Sequence, residues 1–356
     1  HGAHTGRWTS RLVQLQNLPR GLNGLTPENI DTILSKLHLL SPADFIDYLE
    51  FKWADLGTPM QILTGLIRPM ICAEKGKKFI VYDYSTIEAR VLAWLSGCTT
   101  ILDLYRSGGD AYKLMASKIF NIPIEEIQKP SYQRDVGKEA VLGAGYGMGW
   151  SKFHEATTTK GISITEDLAK NIIATYRESF PEIPTFWTHT GAAAKEALNA
   201  NSGNHIFVSD NPPLSFYNTN SFVFCELPSG RQLSYPLMEC KTETNPYNDM
   251  PSENLYYWGV SAEFPWSRKK LYGAKFVENI VQAVARDIMV DAMIKLELAG
   301  FPVSFSVHDE IICEVDESLT TPEKIKEFEE IMRTPPDWAK GVPLEVEGYV
   351  AQRYRK

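Results

Sequence analysis

The chain has 356 residues, 44% hydrophobic and 22% charged, the ordinary composition of a globular protein with room for a large core and two subdomains. No run of about 18 apolar residues and no secretory leader occurs. Cysteines at 72, 98, 225, 240 and 313 form no CxxC pair, which fits reduced thiols and not a disulfide framework or a zinc site. The net charge of −8 weighs mildly against a nucleic-acid partner, although binding is decided by where cations cluster.

Such clusters exist: Arg7 with Arg11 and Arg20; Lys75, Lys77 and Lys78; Arg268, Lys269 and Lys270; Arg353, Arg355 and Lys356. Residues 1–24 read as an irregular segment, "GRWTSRLVQLQNLPRGLNG", and residues 27–67 as mostly helical. "KKFIVYD" is a strand whose continuous apolar run predicts burial on both faces. Residues 87–95 continue as an amphipathic helix, with further helices at 110–120, 131–145, 166–179 and 184–198. "NANSGNHIFVSDNPPLSFYNTN" reads as a polar, Pro/Asn-rich loop. "FVFCELPSGRQLSY" is a hairpin turning at Ser229-Gly230. A long helix follows over 276–299, and "VSFSVHDEIICEV" forms a second hairpin. A helix near 322–333 and a strand near 344–350 close the chain. Strands at both ends thus flank a mostly helical middle.

Asp83 ends the first strand, at once followed by a helix. Ser85 and Glu88 fit the capping box S-x-x-E, and Asp83 would sit well near the positive helix end. Helix-start chemistry alone accounts for the run unless a second acid converges on Asp83. Asp309 is the candidate, at a hairpin tip with His308 and Glu310 that lacks the Asn, Gly or Pro favoured in turns. Two aspartates ending adjacent strands could hold two Mg²⁺ ions about 3.5–4 Å apart, the arrangement of in-line phosphoryl chemistry. Magnesium is satisfied by one or two carboxylates plus substrate phosphates.

The run "QRDVGKEAVLGAGYGMG" supplies a third element. On a helix, positions four apart drift about 40°, so Arg134, Lys138, Leu142 and Tyr146 trace one stripe. Its two cations, apolar residue and aromatic follow the order of a nucleoside triphosphate, though an exposed face touching the core gives the same pattern. "GAGYGMG" is not a dinucleotide-binding turn, because its glycines close a helix instead of opening one. No Walker pattern occurs.

"DYSTIEARVLAWLSG", "RDVGKEAVLGAGYG" and "SVHDE" resemble motifs A, B and C of the family A, bacterial polymerase I-like, DNA polymerases. "HTGRWTSRLVQLQNLPR" resembles the family's segment ahead of the palm strand, and "VENIVQAVARDIM" its helix carrying a minor-groove glutamine, in phage-type form. The resemblance implies that Asp83 and Asp309 bind two Mg²⁺ ions, with Mn²⁺ a possible substitute, and that the Tyr84 carbonyl is a further ligand. It implies that Arg134 and Lys138 grip the incoming phosphates, with Lys138 a proton donor to pyrophosphate. Tyr146 would stack near the templating pair, and Glu88 would be the steric gate against a ribose 2′-OH. Arg7 and Gln282 match minor-groove readers, His308 is expected to bind DNA with them, and both His308 and Glu310 are expected in supporting roles beside the catalytic aspartate.

Two departures qualify these expectations. Leu142 stands where motif B usually has Phe or Tyr, so expectations about dideoxynucleotide discrimination do not carry over. The chain opens at His1, almost on the "TGR" segment, and is expected to be a palm-and-fingers piece lacking the exonuclease domain and thumb that precede it. Four readings compete: a DNA-templated DNA polymerase core, a single-subunit RNA polymerase, a polymerase-like binding module without activity, and a metal-dependent nuclease. Glu88 and the "VHDE" form favour DNA synthesis, while a nuclease has no use for the Arg134–Tyr146 stripe. The expected fold is α+β: a palm over 1–100 and 261–356, an antiparallel sheet backed by helices, with mainly helical fingers inserted over 101–260. The expected partners are primer-template DNA, deoxynucleoside triphosphates and the missing N-terminal exonuclease and thumb region. No membrane partner is expected, and the expected location is the cytoplasm of a bacterial cell or phage-infected host.

Overall fold

The structure, a computed structural model, describes residues 3–9, 14–19, 21–244, 250–260 and 265–355. Arg11, Arg20 and Lys356 of the basic clusters lie outside the described residues. In chain order the elements are α1 (Pro27–Leu37), α2 (Pro42–Lys52), α3 (Pro59–Leu66), β1 (Lys77–Tyr84), α4 (Ile87–Ser96), α5 (Thr99–Arg106) and α6 (Ala111–Phe120). Next come α7 (Tyr132–Ala144), α8 (Trp150–Thr159), α9 (Glu166–Ser179), α10 (Glu182–Asn199), β2 (Ile206–Asp210), β3 (Pro213–Thr219), β4 (Phe222–Glu226) and β5 (Gln232–Pro236). The last are β6 (Glu239–Thr244), β7 (Pro251–Gly259), β8 (Ser267–Leu271), α11 (Gly273–Leu298), β9 (Val303–Val307), β10 (Glu310–Asp316), α12 (Pro322–Arg333) and β11 (Val346–Ala351). Helices α1, α2, α3 and α12 share one start device. A Ser or Thr hydroxyl accepts the third helical amide, and a proline takes the first position, where its missing N–H costs nothing.

Two compact units divide the chain, one of Trp8–Ser85, Met289–Thr334 and Glu345–Lys356, the other of His1–Arg7, Thr86–Ile288 and Pro335–Leu344. Five seams result, among them 85/86 and 288/289, and α11 runs through the latter.

The first unit is built on an antiparallel sheet of order β11-β1-β10-β9. Its β1 is covered on both faces, as its apolar run predicts. Phe79 and Val81 pack with Val307, Ile312 and Tyr354 on one face. On the other, the Tyr82 ring lies 5.4 Å from Phe328 of α12, which meets Phe301 at 5.3 Å. A separate cluster of Ile30, Ile33, Phe45, Leu49, Ile62 and Leu66 holds α1–α3 together.

The second unit carries α4–α10 and two antiparallel sheets, β2-β3-β4-β5 and β6-β7-β8. The middle of the chain, read from sequence as mainly helical, therefore also holds substantial sheet. Residues 199–220, expected to be a loop, contain the β2–β3 hairpin. Asn211 and Pro212 occupy its turn, while Leu214 and Phe216 are buried and the Phe216 ring meets Phe276 at 5.4 Å. The turn residues dominated the composition and hid the strands beside them. The hairpin over 222–235 is present as β4–β5, with Gly230 at φ +78 in its turn.

Helices α6 and α7 approach closely at Gly137, where an added Cβ would run into the Tyr112 carbonyl and come within 2.9 Å of the Ala116 amide nitrogen. Backbone cannot retreat as a side chain can. Gly137→Ala is expected to cost about 2–3 kcal/mol and to lower the thermal midpoint by roughly 3–4 °C in calorimetry.

Candidate active site

Asp83 is the penultimate residue of β1, and in register it faces Glu310, the first residue of β10. One step further, the Tyr84 amide donates to the Asp309 carbonyl at 3.1 Å. The sheet thus places residues 83 and 309 side by side, although 226 positions separate them in the chain. Val307 pairs with Glu310, so His308 and Asp309 form a two-residue turn. His308 adopts φ +55, the left-handed conformation that Gly or Asn usually supplies at such tips. Both aspartates are partly exposed, whereas Glu310 is 2% exposed. Tyr84 turns its ring inward and donates its hydroxyl to the Met332 carbonyl at 3.0 Å. Burial, and then the Asp291 charge, raise its phenol pKa, so it acts as an anchor and not as an acid.

The donor set suits a hard cation. Two carboxylates end adjacent strands beside backbone oxygens, and among the described residues no group of three or more His, Cys, Asp or Glu converges as a self-sufficient metal cage. Magnesium held by few protein ligands and completed by phosphates needs no such cage.

The capping box does not form. Helix α4 begins at Ile87, its N-cap is Thr86 at φ 52 and ψ 37, and that cap makes no side-chain hydrogen bond. A β-branched residue held left-handed stores strain on the order of 1–3 kcal/mol. The Glu88 carboxylate is engaged elsewhere. It pairs with Arg7 Nη2 at 2.7 Å and accepts the Tyr146 hydroxyl at 3.1 Å. Desolvation, and then Glu88 itself, push the Tyr146 phenol far above its usual pKa, so Tyr146 remains a donor throughout the working pH range.

Helix α7 ends at Ala144, which leaves Tyr146 two residues beyond the helix that carries Arg134, Lys138 and Leu142. Trp187 Nε1 fixes this exit by donating to the Gly145 carbonyl at 3.0 Å. Lys138 and Leu142 are exposed. Arg134 donates from Nε to Asp110 Oδ2 at 2.8 Å, and its guanidinium carbon lies 5.2 Å from the Tyr112 ring centre. Asp110 Oδ1 meanwhile caps α6 by accepting the Tyr112 and Lys113 amides at 2.9 and 3.3 Å. Gln282 is half-buried on α11.

Three contributors escaped the sequence reading. Asp110, which orients Arg134, was detectable only as an N-cap ahead of a helical pattern. Tyr354 packs with Val81 and Val307 in the strands that lead to the two aspartates, with Arg68 Nη1 3.5 Å from its hydroxyl. Arg231 has a partner, Asp287, 56 residues away and no local signal. Several basic clusters, by contrast, are tied to acids: Lys77 to Glu74 at 2.7 Å, Lys78 to Glu317 at 3.7 Å and Arg353 to Asp31 at 2.7 Å.

The fold has a counterpart among solved structures. The polymerase domain of Pol1 from M. smegmatis, solved with DNA primer-template and dNTP, matches 99% of this chain and 46% of its own with a TM-score of 0.58 and 18% identity, a likeness of fold. Residues 1–203 match the model of DNA polymerase family A, and the chain belongs to that family. The DNA polymerase of Bacillus phage SP02 is 32% identical over 354 residues, 99% of this chain and 51% of the phage protein. DNA polymerase I of Pseudomonas aeruginosa is 26% identical over 259 residues, 71% of this chain and 22% of that protein. The chain spans about half the length of the phage relative. Among the described residues, no helix is long and apolar enough to cross a membrane.

Proposed function

We propose that this chain is the catalytic core of a DNA-templated DNA polymerase that adds deoxynucleoside triphosphates to a primer 3′-OH and releases pyrophosphate, in the cytoplasm of its host. The observation that carries the reading is the adjacency of Asp83 and Asp309 at the ends of antiparallel strands. Family membership supports it, as does a structural neighbour that binds primer-template and dNTP. Asp83, Asp309 and the Tyr84 carbonyl would hold Mg²⁺ or Mn²⁺, which when bound supplies Lewis acidity toward the primer hydroxyl and the triphosphate charge.

Arg134 and Lys138 bind the triphosphate, Arg134 with its guanidinium oriented by Asp110, and Lys138 passes a proton to the leaving pyrophosphate. Glu88, held by Tyr146 and Arg7, closes the space a 2′-OH would need. Tyr146 stacks near the templating pair. Arg7 and Gln282 donate to the minor-groove acceptors that correct pairs share. His308 sets the turn that presents Asp309.

Mg²⁺-dependent extension of a primed template by the chain, with deoxy- and ribonucleotides in parallel, tests the reading. Deoxynucleotide addition is expected; ribonucleotide preference would shift it to the RNA polymerase class, and no extension would leave the binding module. At the sugar, Leu142→Tyr is expected to raise dideoxynucleotide incorporation at least several-fold in gel assays. An unchanged ratio would remove Leu142 from sugar choice.

A further inference from the structure

We propose that Arg231 is the positioning residue for the minor-groove readers Arg7 and Gln282, so that sensing of the primer terminus depends on a guanidinium acting through them. The proposal rests on the polymerase reading and deepens it.

Arg231 lies in the loop of the β4–β5 hairpin, directly before β5, and ties three remote segments together. Its Nε donates to Asp287 at 2.7 Å (Oδ1) and 3.0 Å (Oδ2). Its Nη2 donates to the Thr5 carbonyl at 3.0 Å and to the Ala283 carbonyl at 3.1 Å. Thr5 stands two residues before Arg7, and Ala283 directly follows Gln282. One planar group therefore sets both backbones from which the readers project.

The segment around Thr5 is shaped to accept this guanidinium. Gly6 has φ +82, and a Cβ there would meet Arg231 Nη1 at 2.7 Å, so backbone and contact both call for glycine. His4 clamps the same segment, with its ring 4.9 Å from Tyr235 and 5.3 Å from Tyr257. Burial, and then Lys269 and Lys275, lower the His4 pKa to about 4, so it packs as a neutral ring at working pH.

A plainer role would be to neutralise Asp287, whose side chain is 6% exposed. Asp287, however, also accepts Ser229 Oγ at 2.6 Å and Arg286 Nη1 at 3.2 Å. Charge on Asp287 therefore does not depend on Arg231 alone, whereas the two carbonyl bonds do require its forked donors. A lysine keeps the charge and loses the fork.

The test is single-nucleotide extension on primers ending in guanine or in 3-deazaguanine, which lacks the N3 minor-groove acceptor. The parent chain is expected to extend the analogue about tenfold or more slowly. Arg231→Lys is expected to be about tenfold slower on guanine, with no more than about a twofold further loss on the analogue. Gly6→Ala, which keeps both charges of the Arg231–Asp287 pair while its Cβ presses the guanidinium and the segment apart, is expected to show the same collapse and serves if Arg231→Lys does not fold. A full analogue penalty in both variants would overturn the proposal, as would a parent indifferent to the analogue. A parent that extends no primer would instead sink the polymerase reading itself, and the proposal with it.

Discussion

Replacing Asp309 by alanine is expected to slow Mg²⁺-dependent primer extension by at least ~10³-fold while moving the thermal midpoint by no more than about 2 °C. A carboxylate that holds a catalytic cation contributes several kcal/mol to the transition state, and each 1.36 kcal/mol is worth a factor of ten. The stability effect is small because Asp309 sits partly exposed in a two-residue turn, where truncation opens no cavity. Asp309→Asn preserves shape and removes charge, and is expected to be nearly as slow. Single-turnover rates beside calorimetry separate the two effects. A slow variant that also melts early would indicate a damaged sheet and not a lost ligand.

The second large effect is expected at Gly348, which faces Tyr82 where β11 pairs with β1. A Cβ there would run into the Val81 carbonyl and the Tyr82 ring. The carbonyl belongs to the central strand, and the ring is held by its hydroxyl, which donates to Glu329 Oε1 at 2.6 Å. Neither can yield cheaply, so Gly348→Ala is expected to cost about 3 kcal/mol and to lower the midpoint by roughly 4 °C. Because β1 carries Asp83, extension should decline near the lowered midpoint while remaining close to the parent rate well below it. Near-parental melting would show that β11 can shift away from β1.

Much of this was legible in the sequence because its signals were local. The apolar run into Asp83 marks a doubly covered strand, and the "SVHDE" tip stands out because it lacks ordinary turn residues. The failures arose where local signals mislead or pairing is remote. Ser85 and Glu88 have capping-box spacing, yet the backbone bends at Thr86 into a conformation no propensity anticipates, and Glu88 is recruited by Tyr146 and Arg7. The β6–β8 sheet hides because its strands are charged. Arg268 on β8 reaches Glu239 on β6 at 3.5 Å and lies over the Tyr256 ring at 4.4 Å, which an isolated reading takes for a solvated run. Asp110 and Asp287 acquire their roles only through partners that folding brings to them.

The central claim is that Asp83 and Asp309 share one cluster of divalent ions. Anomalous diffraction from crystals grown with Mn²⁺, primer-template and a non-hydrolysable deoxynucleotide tests it most directly. Two manganese peaks touching both carboxylates are the result expected. Peaks bound by other residues, or by only one of these two aspartates, would contradict it.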